Sequence, residues 1–237
     1  MAAVILSARG LTRHFGGLHA VDQVDLDLQT GEIHALIGPN GAGKTTLVGL
    51  LSGRIEAQAG TLHLGGIDIS ALPAHKRVQM GIAYTFQITS IFQRLTVVQN
   101  IALAAESRGP VQKAKIAALL KRVRLDALSD QLAGTLSYGH QRMLEVAMGL
   151  ALEPRLLILD EPTQGLAADE IGFFEALIRS VTPQTSVLLI EHNMEVVMGL
   201  SDRITVLNFG RVLARGTPQE IRANPLVQAA YLWTENA

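Results

Sequence analysis

Apolar residues recur along this chain in three rhythms, and each predicts a different element. Between residues 4 and 30 they alternate with polar ones, as in Val24-Asp25-Leu26-Asp27-Leu28, the period of strands with one covered face. The opening stretch from Met1 to Arg9 reads as the first of these strands, and Leu62-His63-Leu64 with Gly65-Gly66 continues them as strand and turn. Ile33-His34-Ala35-Leu36-Ile37, Leu156-Leu157-Ile158-Leu159 and Val187-Leu188-Leu189-Ile190 are instead short and nearly unbroken, as expected of parallel strands covered on both faces. The third rhythm is helical. Thr46 to Leu51 reads as helix with Gly53 as its stop, Ala114 to Val123 as another, and Met143, Leu144, Val146, Ala147, Leu150 and Ala151 form a stripe at helix spacing behind Ser137 as N-cap. Thr217-Pro218-Gln219-Glu220 is a capping box with proline at the first helical position.

Laid end to end, these elements predict an α/β fold. Its core is a mostly parallel sheet with flanking helices, joined by an antiparallel β layer and an inserted helical subdomain. We expect one domain over residues 1–237, with 1–87 and 151–237 forming the core and β layer. Residues 88–150 form the helical insertion, in which Gly109-Pro110 breaks the chain before Ala114. A chain of 237 residues is long enough for such a sheet with helices on both faces. No stretch reaches the roughly 18 uninterrupted apolar residues of a spanning helix, and the first residues lack the basic start of a signal peptide. Without cysteine, the chain has no disulfide, thiolate metal site or cysteine nucleophile. A net charge of −1 offers no general attraction for nucleic acid.

Chemistry enters at Gly38-Pro39-Asn40-Gly41-Ala42-Gly43-Lys44-Thr45, which satisfies G-x-x-x-x-G-K-[ST] between a strand and a helix. Glycines let successive N–H groups turn inward around phosphate oxygens, and the helix N-terminus adds its dipole. Lys44 is expected to reach the β- and γ-phosphates of ATP, with Thr45 on Mg²⁺ and Thr46 completing the pocket. This loop marks the P-loop NTPase core. The run Leu156 to Leu159 ends in Asp160-Glu161, at the carboxyl edge where open α/β sheets bind ligands. Asp160 is expected in the Mg²⁺ shell and Glu161 as the group that orients or deprotonates water.

Leu136-Ser137-Tyr138-Gly139-His140-Gln141-Arg142 follows the loop by about a hundred residues. With that segment in place, the chain resembles the nucleotide-binding subunits of ABC (ATP-binding cassette) transporters over nearly all its length. The family signature commonly reads L-S-G-G-Q; here Tyr138 replaces a glycine and His140 the glutamine. The resemblance implies that Ser137 and Gly139 bind the γ-phosphate of ATP held by a second ATPase subunit, the same chain or a paralogue. It places Phe15 against adenine, with core packing beside its strand as the alternative, Gln87 at Mg²⁺ or water and His192 at the γ-phosphate. Gln164-Gly165-Leu166-Ala167 then lies in a loop at the dimer interface that often reads S-A-L-D. The segment from Ile88 to Leu95 is implied to meet a transmembrane permease, with Phe92 as an apolar anchor and core packing of Ile91 and Phe92 as the alternative.

Within the family the chain most resembles ATPases of bacterial branched-chain amino acid and urea-type importers, on Glu161-Pro162-Thr163-Gln164-Gly165-Leu166, Glu191-His192-Asn193-Met194 and the ending from Gly216 to Leu232. That implies a periplasmic solute-binding protein as a further partner and a peripheral place on the cytoplasmic face of the inner membrane. An ATPase of lipopolysaccharide export shares the short ending. A soluble ABC ATPase is the alternative from another class, though tandem cassettes, coiled-coil insertion, zinc-hook cysteines and basic tails are missing. A P-loop kinase or GTPase lacks the signature, and no guanine-reading N-K-x-D is present.

Overall fold

The computed structural model describes residues 3–85, 90–110, 112–182 and 184–232. The chain opens with β1 (Val4–Phe15), β2 (Leu18–Gln29) and β3 (Ile33–Ile37), then α1 (Lys44–Ser52), β4 (Ala59–Leu64), β5 (Ile67–Asp68), α2 (Ala74–Met80) and β6 (Ile82–Thr85). Helices follow as α3 (Val97–Glu106), α4 (Lys113–Arg122) and α5 (Tyr138–Ala151), with short 3₁₀ turns at Asp126–Leu128 and Ala133–Thr135. The remainder is β7 (Leu156–Asp160), α6 (Ala168–Val181), β8 (Ser186–Ile190), α7 (Met194–Leu200), β9 (Arg203–Asn208), β10 (Arg211–Gly216), α8 (Pro218–Ala223) and α9 (Pro225–Leu232).

Two sheets form among the described residues. The larger runs β10-β9-β3-β8-β7-β6, parallel except for the antiparallel edge strand β10. The smaller runs β2-β1-β4-β5 and is antiparallel throughout. The unbroken apolar runs are the central strands, and their period-two geometry sends alternate residues to opposite faces. Leu36, Ile158, Leu188 and Ile190 join a core with the antiparallel sheet and Leu47, Val48, Leu50 and Leu51 of α1. Leu157, Leu159, Val187 and Leu189 face the other way, onto Met143, Leu144, Val146 and Ala147 of α5 and Phe174, Leu177 and Ile178 of α6. His34 interrupts the β3 run without cost to polar pairing: its ring nitrogens meet Glu32 at 3.1 Å and Thr205 at 2.8 Å.

Local signals decide the ends. Helix α1 starts two residues earlier than its apolar pattern, because Gly43 serves as its N-cap with φ 101°. The expected capping box opens α8, with Thr217 accepting from Glu220 N–H and Glu220 from Thr217 N–H at 2.7 Å. A second capping box, Thr96 with Gln99, opens α3. The buried Asn100 then clips the preceding segment: it accepts from Phe92 N–H at 2.8 Å and donates to the carbonyls of Phe92 and Thr96 at 3.1 and 2.9 Å.

Candidate functional site

The strand order decides where the chemistry collects. Strand β8 lies between β3 and β7, so three neighbouring parallel strands end side by side. Beyond β3 comes the phosphate-type loop, beyond β8 Glu191-His192, and β7 ends on Asp160-Glu161.

Gly43 has φ 101°, and a Cβ there would sit 2.1 Å from the Ala20 carbonyl oxygen. Only glycine brings the loop this close to β2 and leads directly into α1. No side chain caps α1, which leaves its first N–H groups for an anion. The Lys44 ammonium crosses the loop and donates to the carbonyls of Gly38 at 2.6 Å and Pro39 at 3.1 Å. Its burial lowers its pKa, against the opposing pull of Glu161 and Asp160. Asn40, Gly41 and Thr45 are exposed, Pro39 and Thr46 half-buried, and Gly38 and Ala42 buried. Uncapped donors, one buried cation and an exposed hydroxyl at Thr45 fit a polyphosphate with a hard divalent cation such as Mg²⁺.

Opposite the loop, Asp160 accepts from the Tyr84 hydroxyl at 2.7 Å. Burial raises the Asp160 pKa, and the Tyr84 bond works against that rise. Burial and the same carboxylate raise the Tyr84 pKa, so the phenol stays a donor. Glu161 has a φ of 49°, a left-handed conformation that costs a non-glycine residue about 1–2 kcal/mol. Three bonds hold it there: its N–H donates to Ile190 O at 2.8 Å, and its carbonyl accepts from Arg142 at 2.7 Å and from Gln164 N–H at 3.3 Å. The His192 Nε2 lies 2.6 Å from Glu161 Oε1. Glu191 braces the corner from below. One oxygen accepts from the N–H and hydroxyl of Thr163 at 2.8 and 2.6 Å, the other from His192 N–H at 3.0 Å.

Ser137 caps α5 as expected, accepting from His140 N–H at 3.2 Å. Beside it Tyr138 meets the loop that follows Glu161. A Cβ on Gly165, whose φ is 77°, would lie 2.8 Å from the Tyr138 ring. The ring thus lies over the backbone of the loop after Glu161, and a side chain at 165 would displace it. Gly139 is buried against Glu170 of α6, where a Cβ would meet the carboxylate at 2.0 Å. Among the described residues no hydrogen bond or ion pair joins Ser137 or Gly139 to the phosphate-type loop; Ser137 bonds within its own helix.

Phe15 is 45% exposed rather than core, with the Arg13 guanidinium 4.8 Å from its ring centre. Gln87 lies outside the described residues, as do Ile88 and Thr89. Beyond them Ile91 packs partly on the core while Phe92 is 52% exposed. So the pair divides: one residue is core, the other surface. Sequence reasoning missed Tyr84, Arg142 and Glu191 as supports of the two acids. Only Arg142 left a trace, as a charge next to the apolar stripe of α5 with Glu145 three residues on.

Comparison with known proteins gives concordant matches. Residues 21–164 match a family model described as ABC transporter, and residues 211–232 one described as branched-chain amino acid ATP-binding cassette transporter. The high-affinity branched-chain amino acid transport ATP-binding protein BraF of Pseudomonas aeruginosa is 40% identical, over 98% of this chain and 99% of its own length. LivG of Escherichia coli, of the same description, matches equally. The lipopolysaccharide export system ATP-binding protein LptB of Acidithiobacillus ferridurans is 35% identical over 96% of each chain. Among solved structures, the ADP conformation of an ATP-binding cassette of an ABC transporter superposes with a TM-score of 0.87 at 25% identity, covering 97% of this chain and 98% of its own.

Proposed function

The chain belongs to the ABC transporter family as an ATP-binding subunit, and from that premise we propose that it powers a permease importing branched-chain amino acids or a related small polar solute. The observation that carries the reading is the convergence at three strand ends of Lys44, of Asp160 braced by Tyr84, and of Glu161 held 2.6 Å from His192. The descriptions of BraF and LivG and the match over residues 211–232 favour an importer over lipopolysaccharide export.

The residues divide the work as follows. Lys44 and the N–H groups from Gly41 to Thr46 bind the phosphates of ATP, with Gly38, Pro39, Asn40 and Ala42 shaping the turn. The base lies on Phe15, whose exposed ring is available for stacking. Mg²⁺, held by Thr45, Asp160 and Gln87, would offset charge on the β- and γ-phosphates. Glu161 takes the proton of an attacking water, and His192, whose Nε2 lies 2.6 Å from Glu161 Oε1, steadies the γ-phosphate. Ser137 and Gly139 serve the phosphate of a second subunit, the same chain or a paralogue, in a head-to-tail pair. Residues 88–150 then act as a helical subdomain that carries those two groups across.

Among the described residues no helix is long and apolar enough to cross a membrane, so work on a solute requires a membrane partner. We place the chain on the cytoplasmic face of that membrane, with a periplasmic solute-binding protein on the other side. Phe92 is the apolar anchor toward the permease, its backbone fixed by Asn100 while the ring stays exposed. Phe92→Ala should lower co-purification with the permease at least about tenfold, the loss of a buried aromatic anchor, with native ATP affinity and Tm. A native complex, or a globally unfolded variant, would count against docking.

Lys44→Ala should weaken ATP binding by about tenfold or more, as expected when a charge-assisted contact worth about 1.5–3 kcal/mol is lost. Fluorescent-nucleotide titration reads this directly, and unchanged affinity would remove Lys44 from the phosphate site. The whole reading is tested by reconstituting the chain with its permease and binding protein in liposomes. ATP-dependent uptake of leucine, isoleucine or valine supports it. ATPase activity indifferent to every small polar solute offered would refute the importer.

A further inference from the structure

A second polar cluster lies where β1 turns into β2. His14 and His19 are directly opposed across the antiparallel pair, and their rings stack with centroids 3.8 Å apart and planes 18° from parallel. Both face one carboxylate. The His14 Nε2 is 3.9 Å from Asp22 Oδ1, and the His19 Nδ1 is 3.6 Å from Asp22 Oδ2. Donor atoms of the three residues all lie within 4.8 Å of one another. The Nε2 of His14 is shielded from solvent and has no hydrogen-bond partner. A buried ring nitrogen without a partner is costly, and here it is aimed at a neighbouring anion too distant to bond it.

We propose that His14, His19 and Asp22 bind a divalent transition-metal ion of the Zn²⁺ class. Two imidazoles and a carboxylate are a donor set for such borderline ions; Mg²⁺ and Ca²⁺ favour oxygen alone. Ligand atoms about 2.1 Å from a tetrahedral centre stand about 3.4 Å apart. The distances of 3.6 and 3.9 Å run to the two oxygens of Asp22, and binding would fan the stacked rings apart so that both in-plane lone pairs reach one ion. Three protein donors leave the fourth position to water or a further ligand. Cross-strand pairing keeps the two histidines adjacent, so binding turns side chains without moving the backbone.

Arg211 is the competitor. It pairs with Asp22 through two nitrogens at 2.7 and 3.0 Å, but its side chain is 73% exposed, so releasing it into water costs little. The cluster is separate from the acids at Asp160 and Glu161, yet it borders the phosphate loop. Asp22 N–H donates to Gly210 O at 2.8 Å, and Gly210 N–H donates to Ala42 O at 3.0 Å.

The test is a titration of the chelator-stripped full chain with Co²⁺ and then Zn²⁺, without nucleotide, read by the Co²⁺ ligand-field spectrum and by calorimetry. One site per chain is expected, with Zn²⁺ displacing Co²⁺. His19→Gln, at an exposed position that leaves the fold intact, should weaken binding at least about tenfold. Arg211→Gln should tighten it, because Asp22 is then no longer shared. No saturable binding by the native chain, or native affinity in both variants, overturns the assignment.

Discussion

Glu161→Gln is expected to lower steady-state ATP hydrolysis about 10²–10⁴-fold, the usual contribution of a positioned general base, while ATP affinity stays near the native value. The amide keeps the shape of the carboxylate and its contact with His192, but cannot accept the proton of water. Backbone geometry should persist, because the three bonds that hold Glu161 at positive φ involve only its N–H and carbonyl. With turnover stalled, ATP should accumulate between paired subunits. Size-exclusion chromatography in MgATP is expected to show a dimer for the variant and monomer for the native chain. Near-normal turnover would assign the base to another residue.

Arg142→Ala is expected to be the most destabilising change in the signature helix, by about 3–5 kcal/mol. Its side chain is 1% exposed, as against 5% for Glu145, and the two pair at 2.7 Å. Removing the cation takes away that buried carboxylate's ion-pair partner. It also removes one of the three bonds that hold the Glu161 backbone, the one from Arg142 to its carbonyl at 2.7 Å, so hydrolysis should fall even at temperatures where the variant is folded. Replacing both partners together, Arg142→Met with Glu145→Leu, should restore most of the stability without restoring the rate, since an apolar pair leaves no buried charge and makes no bond to Glu161. Urea unfolding of the single and double variants checks the first claim, and kcat measured well below Tm the second. Equal instability in both would mean that the ion pair is not the source.

These two sites mark the line between what is legible along the chain and what is not. The loop from Gly38 to Thr45 between strand and helix, and the acidic strand end at Asp160-Glu161, are legible directly, because each is made by a few consecutive residues whose backbone and side chains act locally. The same holds for the caps at Ser137 and Thr217, since a cap reaches only three residues. Helix and strand types followed from periodicity; α1 begins two residues early where Gly43 took over the cap, and β1 runs from Val4 to Phe15, beyond the expected end at Arg9. For Phe15, by contrast, stacking residue and core aromatic were both open, because one aromatic beside a strand leaves the same sequence trace whether exposed or buried.

What only the tertiary structure decided is adjacency. Nothing in the chain order of β3, β7 and β8 says that β8 lies between the other two, yet that order alone sets His192 against Glu161. Tyr84 on Asp160, Arg142 on the Glu161 carbonyl and Tyr138 over Gly165 are likewise contacts between distant segments. They depend on strand pairing and on how α5 packs across the sheet. The sequence by itself determined the parts that short-range sterics and hydrogen bonding can build. Which parts touch was settled by burial of two apolar sheet faces at once, a condition the whole chain satisfies together and no local stretch can express.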